Sequence, residues 1–187
     1  MYKRQLVDLG GYTIDARPSV LALRPAPLQV SYLCFPGTLG APFIDYLVAD
    51  AFLIPEAARA DYSEKILYLP DSYQPNDSRR ETATGPLSRA EAGLPEAAFV
   101  FCNFNNGQKL TAAFLDIWLR LLARVEGSVL WLRGDTEAYE RNLRERAAAH
   151  GIAPERLVFA PWAEQSAHLR RLALADLCLD NLPYNCL

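Results

Sequence analysis

From about residue 97 onward, short apolar runs alternate along the chain with longer segments of helical character. The runs lie at 98–102, 128–132, 156–160 and 177–180, and each is long enough for one strand. Continuous apolar runs of this length are typical of strands buried on both faces of a sheet. Strands that alternate with helices predict an α/β fold, in which a parallel sheet is wound with helices.

The segments between these runs have the spacing or the composition of helices. The first, at 110–125, places apolar residues on one stripe, with Thr111 as a predicted N-cap and Gly127 at its end. The second, at 136–150, is rich in Ala, Glu and Arg, and the third lies at 164–173. The predicted stripe of the first helix consists of Leu110, Phe114, Ile117, Trp118, Leu121, Leu122 and Val125. The second helix contains two oppositely charged pairs at helical spacing, Glu137/Arg141 and Glu140/Arg144.

The first 80 residues predict a second, less regular set of strands, at 6–9, 28–33, 43–48 and 65–69. The sequence Pro-Gly-Thr-Leu-Gly at 36–40 predicts a tight turn, which is either a plain connection or a place where a small ligand can approach the backbone closely. Residues 70–92 are dense in Pro, Asp, Asn, Ser and Arg, which is typical of a linker between two lobes.

A polar loop at 103–109 follows the first apolar run of the second half and leads into its first helix. The free amides of a helix N-terminus favour an anion, and Lys109 beside them could neutralise a diphosphate. A solvated loop lysine with a helix-capping asparagine is the alternative interpretation of the same residues. His168, on the third helix, also has two interpretations, as a contact to a ligand or as an ordinary packed side chain.

Charge and composition exclude several classes of partner. The net charge is −3 and the pI is about 5.4, so the sequence offers no basic surface for nucleic acid. No charge-free apolar run reaches the roughly 20 residues of a membrane span. The four cysteines, at 34, 102, 178 and 186, form no CxxC pair and no cluster with histidine. We therefore expect no metal site, and a reducing, cytoplasmic setting fits the cysteines best.

A series of motifs resembles the SPINDLY-like protein O-GlcNAc transferases. The motifs are Leu-Arg-Pro-Ala-Pro-Leu-Gln at 23–29, Pro-Gly-Thr-x-Gly at 36–40, Leu-Pro-Asp-Ser-Tyr-Gln-Pro at 69–75, Cys-Asn-Phe-Asn at 102–105 with Lys109, His-Leu-x-Arg at 168–171 and Leu-Ala-Asp-x-x-Leu-Asp at 174–180. They keep the order and spacing of that family over nearly the whole chain.

The resemblance implies a GT-B architecture, with two Rossmann-like lobes that face each other across a cleft. It also implies an inverting transfer of N-acetylglucosamine from UDP to a Ser or Thr hydroxyl of a protein, with UDP-GlcNAc as the donor substrate and without a metal or other cofactor. When no metal is present, the protein itself must stabilise the charge that develops on the leaving diphosphate. The implied partners are therefore a UDP-sugar and a protein or peptide acceptor.

The resemblance also implies roles for individual residues. Lys109 occupies the position of the lysine that contacts the phosphates, so we expect it to be catalytic and to lie beside the N-terminus of the following helix, on the side of His168. The donor-binding positions are Asn106, Ala163, Gln165, His168 and Arg171. The wall of the sugar pocket corresponds to Leu33, Cys34 and Pro36. The sequence departs from the family at three of these positions, where relatives often have glutamine (106), can have lysine (165) and usually have glycine (34).

The same comparison predicts how the chain is divided. Residues 1–80 correspond to the end of the N-terminal catalytic lobe, 81–92 to a linker, and 93–187 to the first part of the C-terminal nucleotide-binding lobe. Pro-Tyr-Asn at 183–185 is followed by Cys186 and Leu187 instead of the His-Thr-Thr segment of the family. We therefore expect both lobes to be incomplete and the 187 residues to be inactive alone.

Two further interpretations remain open at this point. The chain could be a non-catalytic nucleotide-binding or protein-interaction fragment of Rossmann-like type. It could also come from another GT-B enzyme, such as a nucleotide-sugar epimerase, although the Asn-Phe-Asn segment at 103–105 with Lys109, together with the Pro-Gly-Thr turn, argues against that class.

Overall fold

Two separate parallel sheets account for the strand pattern of the sequence. The computed structural model describes residues 4–183 and 185, and the chain divides into two units, Met1–Ser78 and Arg79–Leu187. Each unit contains one sheet of four strands. The sequence predictions that concern Tyr184, Cys186 and Leu187 lie outside the described residues.

The first unit has strands β1 (Gln5–Asp8), β2 (Leu28–Ser31), β3 (Tyr46–Asp50) and β4 (Lys65–Leu69), which pair in parallel in that order. A short helix, α1 (Pro18–Ala22), joins the first two strands, and a 3₁₀ helix (Glu56–Asp61) joins the last two. The strand predicted at 43–48 begins three residues later than expected. Ile44 instead turns back and packs with Leu21 and Leu39 in the core of this unit, which moves the start of the strand.

The second unit confirms the alternation of strands and helices. Its elements are β5 (Val100–Asn103), α2 (Ala112–Arg124), β6 (Val129–Arg133), α3 (Glu137–Ala149), β7 (Leu157–Ala160), α4 (Gln165–Leu172) and β8 (Leu177–Cys178). All pairs are parallel, and the order across the sheet is β7-β6-β5-β8. The fold is thus α/β, as the sequence predicted.

Helix α2 packs its apolar face onto this sheet and is capped as expected. The Thr111 hydroxyl accepts a hydrogen bond from the backbone N–H of Phe114, which satisfies one free amide of the first turn. The predicted stripe was wrong by about one position, because the face turned to the core also contains Leu115 and Leu119, while Ile117 is 40% exposed. These side chains pack with Trp118 against the sheet.

Charged side chains tie the helices of the second unit together. Arg146 of α3 donates two hydrogen bonds, of 2.6 and 2.7 Å, to the carboxylate of Asp116 on α2. On α3, the predicted pair Glu140/Arg144 is 3.9 Å apart, whereas Arg141 lies 4.0 Å from Glu145 rather than pairing with the earlier glutamate. The exposed pairs within α3 add little energy, so the stability of α3 depends mainly on its packing against the rest of the unit.

The strand order predicts where the second unit would bind a ligand. From β5 the chain runs outward through β6 and β7, and it then returns to place β8 on the other side of β5. In open α/β sheets, the loops that leave the carboxyl ends of strands at such a reversal diverge and form a crevice. A binding site in this unit is therefore expected between the loops that follow β5 and β8.

Candidate functional site

Three asparagines connect the loops that follow β5 and β8. The Nδ2 of Asn181 donates to the carbonyl oxygen of Lys109 at 2.7 Å. The Oδ1 of Asn181 accepts hydrogen bonds from Nδ2 of Asn103 at 3.2 Å and of Asn105 at 2.5 Å. Asn181 is 1% exposed, so these bonds form away from water, where an unsatisfied amide would be costly.

Lys109 lies at the end of a 3₁₀ turn, Gly107–Lys109, two residues before the N-cap of α2. The side chain of Asn106 caps this turn by accepting a hydrogen bond from the N–H of Gln108 at 3.2 Å. The Nζ of Lys109 donates to the carbonyl oxygen of Asn185 at 3.2 Å. The lysine thus lies beside the N-terminus of α2, as predicted, between the two loops of the switch point.

His168 and Arg171 form a second group at the same edge of the sheet. The Nε of Arg171 donates to Nδ1 of His168 at 3.0 Å, and its Nη1 donates to the carbonyl oxygen of Pro161 at 2.7 Å. The guanidinium lies 4.5 Å from the ring centroid of Phe104, and the ring of His168 meets the same phenyl ring edge-on at 5.1 Å. Phe104 belongs to the loop that follows β5, so it joins α4 to the switch point.

The surroundings of His168 favour its neutral form. Burial lowers the pKa of the imidazole, and the positive charge of Arg171 lowers the pKa further. Burial also lowers the pKa of Arg171 from its usual value. Because Nδ1 of His168 accepts from Arg171, a neutral imidazole must hold its proton on Nε2, which leaves Nε2–H as a donor.

A cavity of about 150 Å³ adjoins this group. It is lined by Phe104, Arg133, Trp162, Ala163, His168 and Arg171. The structure thus brings three of the predicted donor-binding residues together, namely Ala163, His168 and Arg171. It adds Arg133 and Trp162, which the sequence analysis missed.

The two missed residues carry a signal that the sequence contains. Arg133 is the last residue of β6, and Trp162 follows the end of β7 by two positions. Both therefore occupy the carboxyl edge, where ligands bind in parallel sheets. Trp162 is also 70% exposed, so its indole ring is accessible to a ligand at this edge.

The donor-binding roles of all five residues remain predictions, and two of the five, Asn106 and Gln165, do not line this cavity. Gln165 is exposed in the first turn of α4, and Asn106 is exposed in the turn that it caps. Each lies at the carboxyl edge of the sheet. The contact that the sequence predicts for each side chain is a contact to the donor, which only a bound ligand would test.

In the first unit, the predicted sugar-pocket residues follow β2. Leu33 has φ of 83°, a left-handed backbone conformation that is rare for a side chain of this kind. Cys34 and Pro36 are exposed, and the carbonyl oxygen of Pro36 accepts a hydrogen bond from the Tyr62 hydroxyl at 3.3 Å. Conformations of this type persist only where the surroundings hold them, and they cluster at binding sites.

A buried carboxylate holds the Pro-Gly-Thr turn that follows. Glu64, which is 5% exposed, accepts hydrogen bonds from the Thr38 hydroxyl at 2.6 Å and from the Leu39 N–H at 2.7 Å. Both bonds connect the turn to the start of β4. The turn at 36–40 is therefore fixed by specific contacts from outside its own sequence.

Neither a metal site nor a membrane span is evident in the part of the chain that the structure describes. Across residues 4–183 and 185, no group of three or more His, Cys, Asp or Glu side chains is placed to hold a metal ion. None of the helices described is long and apolar enough to cross a membrane.

Comparison with known proteins places these residues in a family. The sequence model of the family described as glycosyl transferase family 41 matches residues 4–83 and 75–186. The chain is 43% identical over 180 residues to the probable UDP-N-acetylglucosamine–peptide N-acetylglucosaminyltransferase SEC of Arabidopsis thaliana, a match that covers 94% of this chain and 18% of that protein. It is 32% identical over 184 residues to the probable enzyme SPINDLY of Solanum lycopersicum, covering 96% of this chain and 19% of that protein.

A solved structure is similar over both units. A variant of the O-GlcNAc transferase of Thermobaculum terrenum superposes with a TM-score of 0.84 at 28% identity, and the match covers 97% of this chain and 34% of that one. The chain therefore spans about a fifth of the length of the curated relatives named above and about a third of the solved chain. The similarity supports a GT-B type fold, as the motifs predicted.

Proposed function

The chain belongs to glycosyl transferase family 41, and on that premise we propose that it supplies part of the site at which N-acetylglucosamine passes from UDP to a Ser or Thr hydroxyl of a protein. The observation that carries the proposal is the group of Phe104, His168 and Arg171 beside a cavity at the carboxyl edge of a parallel sheet. The family match favours this function over the non-catalytic alternative.

The cavity beside His168 would take the uridine end of the donor. Its volume, about 150 Å³, is below the roughly 300–1,000 Å³ of pockets that hold whole ligands, so it suits one ring of a nucleotide. The exposed indole of Trp162 offers a surface on which a planar base can stack. The Nε2–H of a neutral His168 would donate to an oxygen of the nucleotide, while Arg171 holds the imidazole in that tautomer.

The diphosphate would lie at the switch point, next to Lys109. The ammonium group already donates to the carbonyl oxygen of Asn185, and Lys109 itself lies two residues before the N-cap of α2, a helix of 13 residues whose first amides favour an anion. When the acceptor hydroxyl attacks the anomeric carbon, the bond to the diphosphate breaks and negative charge grows on the leaving oxygen. A positioned cation and helix amides stabilise that charge more in the transition state than in the bound donor, which is what accelerates the step.

The proposal includes the absence of a metal requirement and a role for the first unit. Lys109 and the helix N-terminus would supply the positive charge that a metal provides in other enzymes, so transfer would be metal-independent. The loop with Leu33, Cys34 and Pro36 would form the wall of the sugar pocket, and its strained backbone supports that role. A single displacement at the anomeric carbon would invert its configuration.

A cytoplasmic location also belongs to the proposal. It is supported by Cys102, which is packed as a small buried apolar residue in β5, as a thiol is in a reducing compartment. Protein acceptors with accessible Ser and Thr hydroxyls are the partners that such an enzyme would meet there.

Two measurements test the proposal. Calorimetric titration of the 187-residue chain with UDP should show binding that Lys109→Ala weakens by roughly tenfold, which corresponds to about 1.4 kcal/mol. Arg120→Ala, on the exposed face of α2, is the matched control and should bind UDP like the original chain.

Transfer is measured on a chimera in which residues 4–186 replace the matching segment of an active family member. We expect GlcNAc transfer from UDP-GlcNAc to a Ser/Thr peptide by the chimera, loss of transfer with Lys109→Ala, and none by the 187 residues alone. A chimera that is folded but inactive, or an unimpaired Lys109→Ala chimera, would contradict the assignment.

A further inference from the structure

Two cysteines face each other across neighbouring strands of the second sheet. Cys102 of β5 and Cys178 of β8 are register partners, and their Sγ atoms lie 3.1 Å apart. Adjacent strands are about 4.8 Å apart, which falls within the Cα separation of roughly 4.4–6.8 Å that a disulfide spans. The two sulfurs could therefore be joined without a rearrangement of the backbone.

The two thiols differ in their access to solvent. Cys178 is exposed, whereas Cys102 is fully buried. A small oxidant can thus reach the sulfur of Cys178 first, and the sulfur of Cys102 lies within contact distance of the product. An accessible cysteine next to a second, resolving cysteine is the usual arrangement of a site that is oxidised reversibly.

The pair also lies in the wall of a cavity that borders the candidate site. This cavity, of about 220 Å³, is lined by Cys102, Asn103, Phe104, Asn105, His168, Leu172, Cys178 and Leu179. Hydrogen bonds from the backbone and from a side chain connect the same two strands directly beyond the cysteine pair. Leu179 N–H donates to the carbonyl oxygen of Cys102 at 2.8 Å, and Nδ2 of Asn103 donates to the carbonyl oxygen of Leu179 at 2.8 Å.

We propose that Cys102 and Cys178 form a redox modification site, which hydrogen peroxide converts to a disulfide and which thereby weakens the binding of UDP. The disulfide itself does not depend on the proposed function, whereas its effect on UDP rests on that function. Nothing in the transferase chemistry uses these two sulfurs, so the site is an addition to it.

The reaction proceeds in two balanced steps. The thiolate of Cys178 attacks one peroxide oxygen, so that an S–O bond forms and the O–O bond breaks; the leaving hydroxide takes up the thiol proton and departs as water. The sulfur of Cys102 then attacks the sulfenic sulfur, so that the S–S bond forms and the S–O bond breaks, and a second water carries away the proton of Cys102. Two thiols and one peroxide give one disulfide and two waters, and a cellular dithiol reverses the change by exchange.

The bond would alter the site through the strands that carry it. The sulfurs must approach from 3.1 Å to about 2.05 Å, which pulls β8 toward β5 at the point where both strands end. The loops that position Phe104 and Lys109 begin directly after this point. Because binding depends on the placement of these side chains, a shift of the strand ends lowers the affinity.

Mass spectrometry tests the disulfide. The 187-residue chain with Cys34→Ser and Cys186→Ser, which retains only the proposed pair, is treated with hydrogen peroxide and then with an alkylating agent under denaturing conditions. We expect the chain to lose the mass of two hydrogens and to gain no alkyl group. After proteolysis, one pair of linked peptides should contain both cysteines. Dithiothreitol should restore two alkylation sites. Two alkyl groups after peroxide, or a link between two copies of the chain, would overturn the proposal.

Titration with UDP tests the consequence. The oxidised chain should bind UDP roughly threefold or more weakly than the reduced chain, and dithiothreitol should restore the affinity. In Cys178→Ser, whose altered side chain is exposed and leaves the core intact, peroxide should have no effect on UDP affinity.

The two readouts separate the possible failures. If the oxidised and reduced chains bound UDP with equal affinity, the proposed effect of the disulfide on UDP binding would be overturned, whereas the formation of the disulfide would stand. If neither form binds UDP, the proposed function fails together with the coupling, while the mass measurement still decides whether the disulfide forms.

Discussion

The side-chain amide of Asn181 donates a hydrogen bond of 2.7 Å to the carbonyl oxygen of Lys109, a residue 72 positions earlier in the sequence. The same side chain accepts from Asn103 and Asn105. One buried amide therefore fixes the loop after β5 to the loop after β8. The position of the proposed phosphate contact depends on this connection as well as on the turn that Lys109 itself occupies.

Replacing Asn181 by alanine should destabilise the second unit by about 2–4 kcal/mol, because three hydrogen bonds are lost and buried partners are left unsatisfied. Urea unfolding followed by tryptophan fluorescence measures this, since all three tryptophans belong to the second unit. Asn142→Ala, on the exposed face of α3, makes the same chemical change and should stay within about 0.5 kcal/mol of the original chain. Equal stabilities of the two variants would contradict the role of Asn181.

The sequence predicted the elements of the second unit because their signals are local. The N-cap at Thr111 and the apolar runs of β5 and β6 depend on a few neighbouring residues, and the structure confirms them. The face of α2 was misjudged near Ile117, because which side chains a helix turns inward depends on the sheet beneath it. The start of β3 was misplaced for a similar reason, since Ile44 is recruited to the core by contacts from α1.

The candidate site was predictable only where the family motifs extend. Ala163, His168 and Arg171 follow from the resemblance, and the structure brings them to one cavity. The role of Asn181 was not predictable, because its partners are 72 to 78 positions away and only the strand order brings them together. A polar residue just after a strand is a common feature, and no local pattern distinguishes a buried connector from a solvated loop residue.

Removing the carboxylate of Glu64 should loosen the Pro-Gly-Thr turn of the first unit. Glu64→Ala deletes the acceptor for the Leu39 N–H, which is buried, so hydrogen exchange at that amide should speed up by roughly tenfold or more. Exchange measured by NMR at the Leu39 amide tests this. Glu56→Ala, which removes an exposed carboxylate of the same unit, is the control and should leave that amide unchanged. An unaltered rate in Glu64→Ala would show that the turn does not need this carboxylate.

Chelation of metal ions should leave donor binding and transfer unchanged, because the proposed charge stabilisation comes from Lys109 and the N-terminus of α2. UDP titrations of the chain, and transfer by the chimera, are compared with and without excess EDTA. We expect the values to agree within about twofold, which is well under 1 kcal/mol. A loss of transfer that added Mg²⁺ or Mn²⁺ restores would disprove metal independence.

Arg171 should not be replaceable by lysine. Its planar guanidinium donates to His168 and to the Pro161 carbonyl while it lies over the ring of Phe104, and a single ammonium group cannot do all three. Arg171→Lys should therefore weaken UDP binding by roughly fivefold or more, although the charge is kept. Arg141→Lys, at an exposed position of α3, is the matched control and should bind UDP normally. If Arg171→Lys bound UDP as tightly as the original chain, Arg171 would contribute to binding only through its positive charge.

The neutral state of His168 should make the second unit less stable in mild acid. Burial and the charge of Arg171 lower the pKa of His168 in the folded chain below the value of about 6.5 for an unfolded histidine, and Arg133 lines the same cavity. Between the two pKa values the unfolded chain binds more protons, so the free energy of unfolding rises with pH. The contribution is fully present above about pH 6.5, and it is lost as the pH falls through the pKa of the folded state.

NMR titration of the imidazole protons measures that pKa directly, with the His168 signal assigned by its absence in His168→Gln. In Arg171→Ala the pKa should rise toward the unfolded value, because one of its two causes has been removed. Urea unfolding at pH 7.5 and 5.5 should show a smaller loss of stability for His168→Gln than for the original chain, since the variant has no imidazole to protonate. A His168 pKa at or above 6.5 would contradict the inference that burial and the charge of Arg171 disfavour the protonated imidazole.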